Sequence, residues 1–450
     1  MPDRTRLDGG FVRERIPFLG RALGGAPILL AAACAGEGGG AAWEARTDTI
    51  GDTISVMTTS GGLTLELVPD LRIGSLEGGD TEIFGSVSGL TVDEEGGIYV
   101  YDVQVPALRK YRADGTHEMT LGRRGSGPGE YQNSDGGLAI LADGRIVLRD
   151  QGNARFVVWH ADGTFDTTWP GRGGFSTSRP LHVDTAGNVY TTSIRTPSAG
   201  DRATSGSLWI TTLVLYTPAG VPWDTLDVPD YGYETPTIMA QVTTAGGTNT
   251  SMNNVPFTPS FQWTLSPHGR FVTGIGDRYA VDLHRPDGKV LRIGRDVEPV
   301  PVNAEERADA EERATRGMRM TDPDWRWNGE PIPRTKPAFK TLIAARDGRI
   351  WVQRYVPAVR VPWTAEDERN ARDPERPLPR RYREPIVFDV FEPEGRYVGE
   401  VRAPEGFSTR PQPVIRGDSV WAVWRDDLGV NHVVRFTASV AVVDASNGSD

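Results

Sequence analysis

The chain alternates short runs of β-branched and aromatic residues with turns that contain glycine. Short apolar runs bounded by such turns are typical of β-strands joined in hairpins. Several runs, such as residues 156–159, are apolar at every position and are expected to be buried on both faces. Six of the runs directly follow a glycine turn, and they begin near Ile98, Ile146, Val189, Phe271, Ile350 and Val420. The pattern therefore predicts an all-β protein.

A second glycine turn follows five of these six strands, and its spacing is regular. The spacing is 19 residues in three repeats, at Gly96 and Gly115, Gly144 and Gly163, and Gly269 and Gly288. Self-similarity at a fixed period is the signature of a repeat architecture. Two hairpins per repeat give four antiparallel strands, which is the unit of a β-propeller blade. We therefore predict a six-bladed β-propeller of four-stranded antiparallel blades.

The last repeat has no second glycine turn and is one strand short. Strand-like segments at 52–57 and 63–67 can supply the missing strand. Pairing the N-terminal strand with the last blade would close the ring and remove an exposed sheet edge. The sequence thus predicts a propeller domain over 46–440, followed by a disordered tail over 441–450.

Four segments interrupt the repeat, at 196–207, 229–256, 303–335 and 357–385. Residues 303–320 begin with an asparagine that suits a helix N-cap, and Glu305 and Glu306 follow it. This is the one short inserted helix that the sequence predicts. Because it has almost no apolar stripe, we expect it to be a solvated excursion or a lid. The segment 229–256 is polar and is expected to be a surface loop.

The N-terminal region has the composition of an export signal. Five arginines lie within residues 1–21, and a run of 12 mostly apolar residues, 22–33, precedes Cys34. Such a run is too short to span a bilayer as a helix but suits the apolar region of a signal peptide. Cys34 is the only cysteine, so it has no disulfide partner within the chain. An ordinary cleaved signal followed by a chance cysteine is the alternative to lipidation.

Residues 30–36 resemble the lipobox of bacterial lipoproteins, although Ala31 stands where that family usually has leucine. The resemblance implies a signal peptide over 1–33 and a lipid on Cys34 that anchors the protein to a membrane. A flexible tether is expected over 34–45. The resemblance further implies an extracytoplasmic location, as a periplasmic or outer-membrane lipoprotein.

The first repeat and its connector, at 89–102, 108–115 and 121–131, carry a second resemblance. They resemble the NHL-repeat type of six-bladed propeller, which is found in many bacterial exported proteins. The likeness is strongest over 84–172 and weak from 336 onward. It implies the fold and carries little information on function, because propellers of this type include both binding proteins and enzymes.

Composition and motifs exclude several chemistries. The net charge of −11 argues against nonspecific nucleic-acid binding, which depends on neutralising phosphates. The glycine-rich segment 122–129 is expected to be a turn rather than a phosphate cradle, because Pro128 removes a donor and a strand follows. The six histidines are scattered and there is one cysteine, so we predict no catalytic residue, metal ligand or cofactor.

Aromatic residues and arginines in the inserted loops are the candidate binding residues. Exposed tryptophan and arginine side chains are enriched at binding hot spots. Buried anchoring of the loops is the alternative interpretation of the same tryptophans. The predicted binding residues are Trp325, Arg326, Trp327, Arg360 and Trp363.

Together these features predict a noncatalytic, monomeric binding scaffold for a protein, peptide or glycan of the cell envelope. The alternative is an enzyme, a calcium-dependent lactonase or other hydrolase with its site at the mouth of the central channel. That alternative comes from a resemblance to gluconolactonase-like propellers, which bind calcium in the channel.

Overall fold

The structure is a computed structural model that describes residues 43–171, 179–196, 210–229 and 231–441. The predicted signal peptide, Cys34, nearly all of the predicted tail and most of the insertion 196–207 lie outside the described residues. The first three strands are β1 Glu44–Ile50, β2 Thr53–Ser60 and β3 Leu63–Ile73. Within the described residues, most of the remaining strands fall into antiparallel groups of four.

The first half of the described chain holds three separate four-stranded sheets. Each is antiparallel, and its strands follow one another in chain order. The first sheet is β4 Val87–Val92, β5 Ile98–Asp102, β6 Ala107–Tyr111 and β7 His117–Leu121. The second is β8 Leu138–Ile140, β9 Ile146–Asp150, β10 Arg155–Trp159 and β11 Phe165–Pro170. The third is β12 His182–Val183, β13 Val189–Arg195, β14 Ile210–Tyr216 and β15 Pro222–Asp227.

The second half begins with a separate hairpin, β16 Thr237–Thr244 and β17 Gly247–Asn254. A fourth group follows, with β18 Gln262–Leu265, β19 Phe271–Gly274, β20 Ala280–His284 and β21 Val290–Arg295. A fifth group contains β22 Phe339–Ala344, β23 Ile350–Arg354, β26 Val387–Phe391 and β27 Tyr397–Arg402. Between β23 and β26 lies a ribbon of two short strands, β24 Val359–Arg360 and β25 Tyr382–Arg383. The last strands are β28 Val414–Arg416, β29 Ser419–Arg425 and β30 Asn431–Val440.

The N-terminal strands pair with strands from the second half of the chain. β3 lies antiparallel to β30, from Leu65 opposite Val440 to Ile73 opposite Val433. The start of β3 also pairs in parallel with β27, and β2 pairs in parallel with β21. The group β28–β29–β30 therefore gains its fourth strand from the N-terminal part of the chain.

The predicted helix is present as α1, Ala304–Arg319. The Asn303 side chain accepts a hydrogen bond of 2.8 Å from the backbone N–H of Glu306, as an N-cap should. α1 is not an isolated excursion, because Ala310 and Met318 are buried in a small apolar cluster with Trp325.

Two elements of the insertions differ from the prediction. The prediction of one inserted helix is wrong, because a second helix, α2 Ala365–Arg372, lies within 357–385. Thr364 and Asp367 cap its start reciprocally, and this capping box is visible in the sequence. The polar segment 229–256 contains the β16–β17 hairpin rather than only a loop, because Ile238 and Ala240 alternate inward to the cluster around α1. Neither helix of the described residues is long and apolar enough to cross a membrane.

Two buried aspartates at equivalent strand ends, Asp102 and Asp150, hold their sheets to the connecting turns. Asp102 is fully buried and accepts hydrogen bonds from the backbone N–H groups of Gly85 at 2.7 Å and Ser86 at 3.0 Å. Asp150 stands at the equivalent end of β9 and accepts from Gln132 at 3.1 Å. A carboxylate saturated by backbone donors stabilises the turn it faces. These positions therefore belong to the scaffold, and the all-β class predicted from the sequence is confirmed.

Candidate functional site

The insertion between β23 and β26 folds into a compact unit that carries many arginines. In the β24–β25 ribbon, Arg360 lies opposite Tyr382 and Val359 opposite Arg383. The backbone N–H of Val361 extends the pairing by donating to the carbonyl of Arg381 at 2.8 Å. This pairing brings together two segments that the α2 helix separates in the chain. We call residues 359–363 and 380–383 the arginine ribbon.

Trp363 lies in the arginine ribbon and is half-buried. The guanidinium carbon of Arg381 is 4.0 Å from the centre of the Trp363 ring, within the range of a cation–π contact. The indole N–H of Trp363 donates to the carbonyl of Arg380 at 3.3 Å. The structure thus brings two of the predicted binding residues, Arg360 and Trp363, together with arginines that sequence reasoning missed. The run of arginines at 380, 381 and 383 was the available signal.

The arginines of this unit have few counterions. Within the described part of the chain, Arg360, Arg380 and Arg383 have no carboxylate oxygen within 4.0 Å, and all three are exposed. Although Arg380 is exposed by surface area, partial desolvation lowers its pKa; the like charges of Arg313, Arg383 and Arg410 lower it further, and Glu384 opposes them. A guanidinium surrounded by like charges gains stability when an anion binds beside it.

The arginine ribbon rests on a buried ionic cluster. The Lys336 ammonium is fully buried and lies 2.6 Å from a Glu306 carboxylate oxygen of α1 and 2.9 Å from Glu384. It also donates to the carbonyl of Val356 at 3.1 Å, and Lys340 pairs with the same Glu384. A buried cluster with matched charges is rigid, because moving one member leaves another unpaired. The cluster therefore fixes the start of α1 and both ends of the insertion to one another.

Arg316 of α1 ties the second helix into the same unit. Its guanidinium donates to the carbonyls of Ala371 at 2.7 Å and Asn370 at 3.1 Å, at the C-terminal end of α2. A cation at this end also interacts favourably with the helix dipole. The arginine ribbon and both helices are thus joined by direct hydrogen bonds, which holds the arginines on an ordered base.

The other predicted binding residues lie in a different place. Trp325 is 4% exposed and belongs to the apolar cluster formed by the β16–β17 hairpin and α1. Its indole N–H donates to the carbonyl of Met239 at 2.8 Å. Trp327 packs against the same cluster with its ring 6.1 Å from that of Trp325, while Arg326 between them is exposed. The two tryptophans thus anchor the loop, and only Arg326 of this group faces solvent.

A cavity of about 1100 Å³ lies between the sheets. Residues of β4, β8, β12, β18, β22 and β28 all line it. Of its carboxylates, Asp93 accepts from the backbone of Gly97 at 2.6 Å and Asp184 from the backbone of Asn188 at 2.9 Å. Burial lowers the pKa of His182 in the same cavity to about 4. This histidine is therefore neutral at pH 7.

Among the described residues, the carboxylates and the histidine of this cavity form no cluster that could hold a metal ion. The described residues contain no group of three or more histidine, cysteine, aspartate or glutamate side chains placed to hold a metal ion. The aspartates that line the cavity are already bonded to their own turns. The arginine ribbon, whose guanidinium groups have no carboxylate within 4.0 Å among the described residues, is therefore the better candidate for a ligand site.

The chain matches no protein-family profile, and no curated protein sequence matches it. Solved structures to which this chain is similar include a member of the DUF4221 family from Bacteroides vulgatus. It is 10% identical, with a TM-score of 0.47, and the alignment covers 84% of this chain and 99% of that chain. A protein of unknown function from Dyadobacter fermentans is 12% identical, with a TM-score of 0.41 over 84% of this chain and 99% of that chain. Virginiamycin B lyase from Staphylococcus aureus is 10% identical, with a TM-score of 0.36 over 78% of this chain and 94% of that chain. Sequence identities and TM-scores this low support no inference about the function of this chain.

Proposed function

We propose that this protein is an exported, lipid-anchored six-bladed β-propeller of the NHL-repeat type. In this proposal each group of four antiparallel strands is one blade. The pairing of β3 with β30 supports it, because it completes the group that ends the chain. The lining of one cavity by the first strand of all six groups also supports it, since the first strands of propeller blades surround a central channel.

The protein acts, in this proposal, as a noncatalytic binding scaffold for a protein, peptide or glycan of the cell envelope. The single observation that carries the proposal is the arginine ribbon, in which exposed arginines with no ion pair to any described residue stand beside the half-buried Trp363. Arginine and tryptophan dominate binding energy at interfaces, and a site on a rigid base loses little entropy when a ligand binds. Regular sheets would then serve as the support and the insertion as the binding surface.

The location and anchoring rest on the sequence of residues 1–34. We propose cleavage before Cys34, lipidation of that cysteine and attachment to the periplasmic side of the inner membrane or to the outer membrane. A tether after Cys34 would let the propeller reach ligands near the membrane. The proposed protein is a monomer that binds no nucleic acid, consistent with a net charge of −11.

Glycan and peptide arrays probed with the purified soluble domain test the binding function. The variant Arg360→Ala/Trp363→Ala removes two members of the arginine ribbon. A matched control, Trp223→Ala/Arg402→Ala, removes a tryptophan and an arginine that are exposed elsewhere. We expect wild type and control to give the same profile and the ribbon variant to lose its signals. A wild-type profile at background on both arrays would refute a peptide or glycan ligand, and an unchanged ribbon variant would refute this site.

A further inference from the structure

The arginine ribbon has too few counterions to be explained as a structural ion-pair network. Elsewhere on the chain some exposed arginines are ion-paired, as Arg396 is with Glu392 at 2.7 Å and Arg402 with Glu400 at 2.8 Å, and others stand singly without a pair. The ribbon differs because several such arginines lie together. No such pair forms, within the described residues, at the five arginines in and beside the ribbon. They are Arg360, Arg380, Arg381, Arg383 and Arg410. This local group of positive charges contrasts with the net charge of the whole chain, which is −11.

The carboxylates near the arginine ribbon are already bonded to other groups. Glu305 accepts the hydroxyl of Tyr382. Asp367 accepts hydrogen bonds of 2.9 and 2.8 Å from the backbone and hydroxyl of Thr364 at the start of α2. Glu384 is held by the buried Lys336 and the partly buried Lys340. Among the described residues none of these carboxylates lies within 4.0 Å of a guanidinium of the ribbon, although Glu384 and Asp367 act on Arg380 and Arg383 from farther away. The exposed guanidinium groups therefore keep donors that an external anion can occupy.

The chemistry of the side chains indicates which anion suits the ribbon. A guanidinium group presents a planar fork of donors that matches the oxygens of phosphate and sulfate, and this bidentate pairing is stronger than a neutral hydrogen bond. A monocarboxylate would neutralise only one of several arginines. Cations spaced along a ribbon favour a ligand that carries repeated anionic groups, because each group adds its own contact.

The backbone and Trp363 favour a glycan over a peptide. The strands β24 and β25 are two residues long, so they offer no edge long enough to pair with an extended peptide. Trp363 instead supplies a flat apolar surface fixed by its hydrogen bond to Arg380 and by the stacked Arg381. Such a surface suits the apolar face of a sugar ring.

We propose, on the basis of the binding function proposed above, that the arginine ribbon binds an acidic glycan through its sulfate or phosphate groups. The glycan lies across the insertion, with its anionic groups on the exposed guanidinium groups of Arg360, Arg380 and Arg383. The net negative charge of the rest of the protein disfavours the binding of a polyanion elsewhere and so confines it to this patch.

Biolayer interferometry tests this proposal with immobilised wild-type protein and two double variants. Arg380→Gln/Arg383→Gln removes two charges from the ribbon. The control Arg396→Gln/Arg402→Gln removes two exposed charges that are ion-paired elsewhere. Thermal melts establish beforehand that both variants are folded. The probes are a heparin dodecasaccharide, a phosphomannan fragment, fully desulfated heparin, polyglutamate, sodium sulfate, and phosphatidylcholine vesicles containing phosphatidylglycerol.

We expect the sulfated or the phosphorylated glycan to bind wild type, with binding that weakens between 50 and 200 mM salt. The ribbon variant should lose at least tenfold in affinity, and the control less than twofold. Equal losses in the two variants would overturn the proposal, as would equal binding of desulfated heparin. Tighter binding of polyglutamate, of the vesicles or of free sulfate would overturn it too. If the arrays identify a neutral ligand whose binding does not depend on these arginines, the proposed binding function is supported and the proposed acidic-glycan ligand is refuted.

Discussion

Asp389 is a buried carboxylate whose replacement should lower the stability of the folded protein. It lies on β26, is fully buried and accepts hydrogen bonds from Tyr279 at 2.6 Å and Tyr397 at 2.9 Å. It also pairs with Arg295 at 2.8 Å and Arg354 at 3.1 Å. Because Tyr279 directly precedes β20 and Arg295 ends β21, this one carboxylate joins the fourth group of strands to the fifth.

The substitution Asp389→Asn keeps the size of the side chain and removes its charge. It leaves two arginines without their partner and turns an amide N–H toward groups that are themselves donors. Removing one member of a buried ion pair costs about 3–5 kcal/mol. The two arginine side chains are 24% and 17% exposed, so water compensates in part and we expect about 2–4 kcal/mol. The entropy of unfolding of a chain this long is roughly 0.8 kcal/mol per degree, so the melting temperature should fall by about 2–5 °C.

Differential scanning calorimetry at pH 7 measures this effect. The matched control is Glu392→Gln, which removes a carboxylate whose partner, Arg396, is more than half exposed. Surface pairs of this kind contribute about 0–1 kcal/mol, so the control should melt within about 1 °C of wild type. A melting temperature of Asp389→Asn that matches the control would refute the reasoning that this carboxylate joins the two groups.

Four further predictions follow from other parts of the chain. Deleting 46–75, which removes β2, β3 and most of β1, should lower the melting temperature of the whole domain, and an unchanged value would contradict the proposed closure. Burial alone would raise the pKa of Glu384, but Lys340 and Lys336 lower it on balance. Its contribution to stability is therefore present above pH 4.5 and is lost as the pH falls through its lower folded pKa, so acid melts of Glu384→Gln should lack that component. Cys34→Ser should move the protein from the membrane to the soluble fraction, which fractionation and mass spectrometry of the anchored form would show. Metal analysis should find no bound calcium, and turnover in a lactone and aryl-ester screen would instead favour a calcium-dependent hydrolase.

The strands were the most predictable part of the fold, because their signal is local. Gly96 and Gly144 adopt φ values of 88° and 84°, and Gly115 and Gly163 both lie near 85°. Glycine adopts such angles at little cost, so its presence beside short apolar runs marks each hairpin. Residue type and spacing within about 20 positions were enough to place these strands.

The insertions were harder to predict, because tertiary contacts decide their structure. The β16–β17 hairpin is mostly threonine, asparagine and glycine, and it is stabilised by the packing of Ile238 and Ala240 against α1. The capping box at Thr364 is a local signal that predicts the second helix when it is looked for. Tryptophan at 325 is compatible with both a buried anchor and an exposed contact, since the type of residue does not determine its exposure.

The arginine ribbon shows why a binding surface is hard to predict from sequence even when its residues are noticed. Arg360 and Trp363 attract attention as exposed types in a proline-rich insertion, yet the charge at the site comes equally from Arg380 and Arg383. A pairing of only two residues per strand brings the two segments together, and α2 spans the distance between them. That pairing is held in place by the buried Lys336 and by the hydrogen bonds from α1, which no local pattern encodes. The site therefore depends on the regular sheets in two ways. The sheets support the insertion, and they fix the two ends between which the insertion folds back on itself.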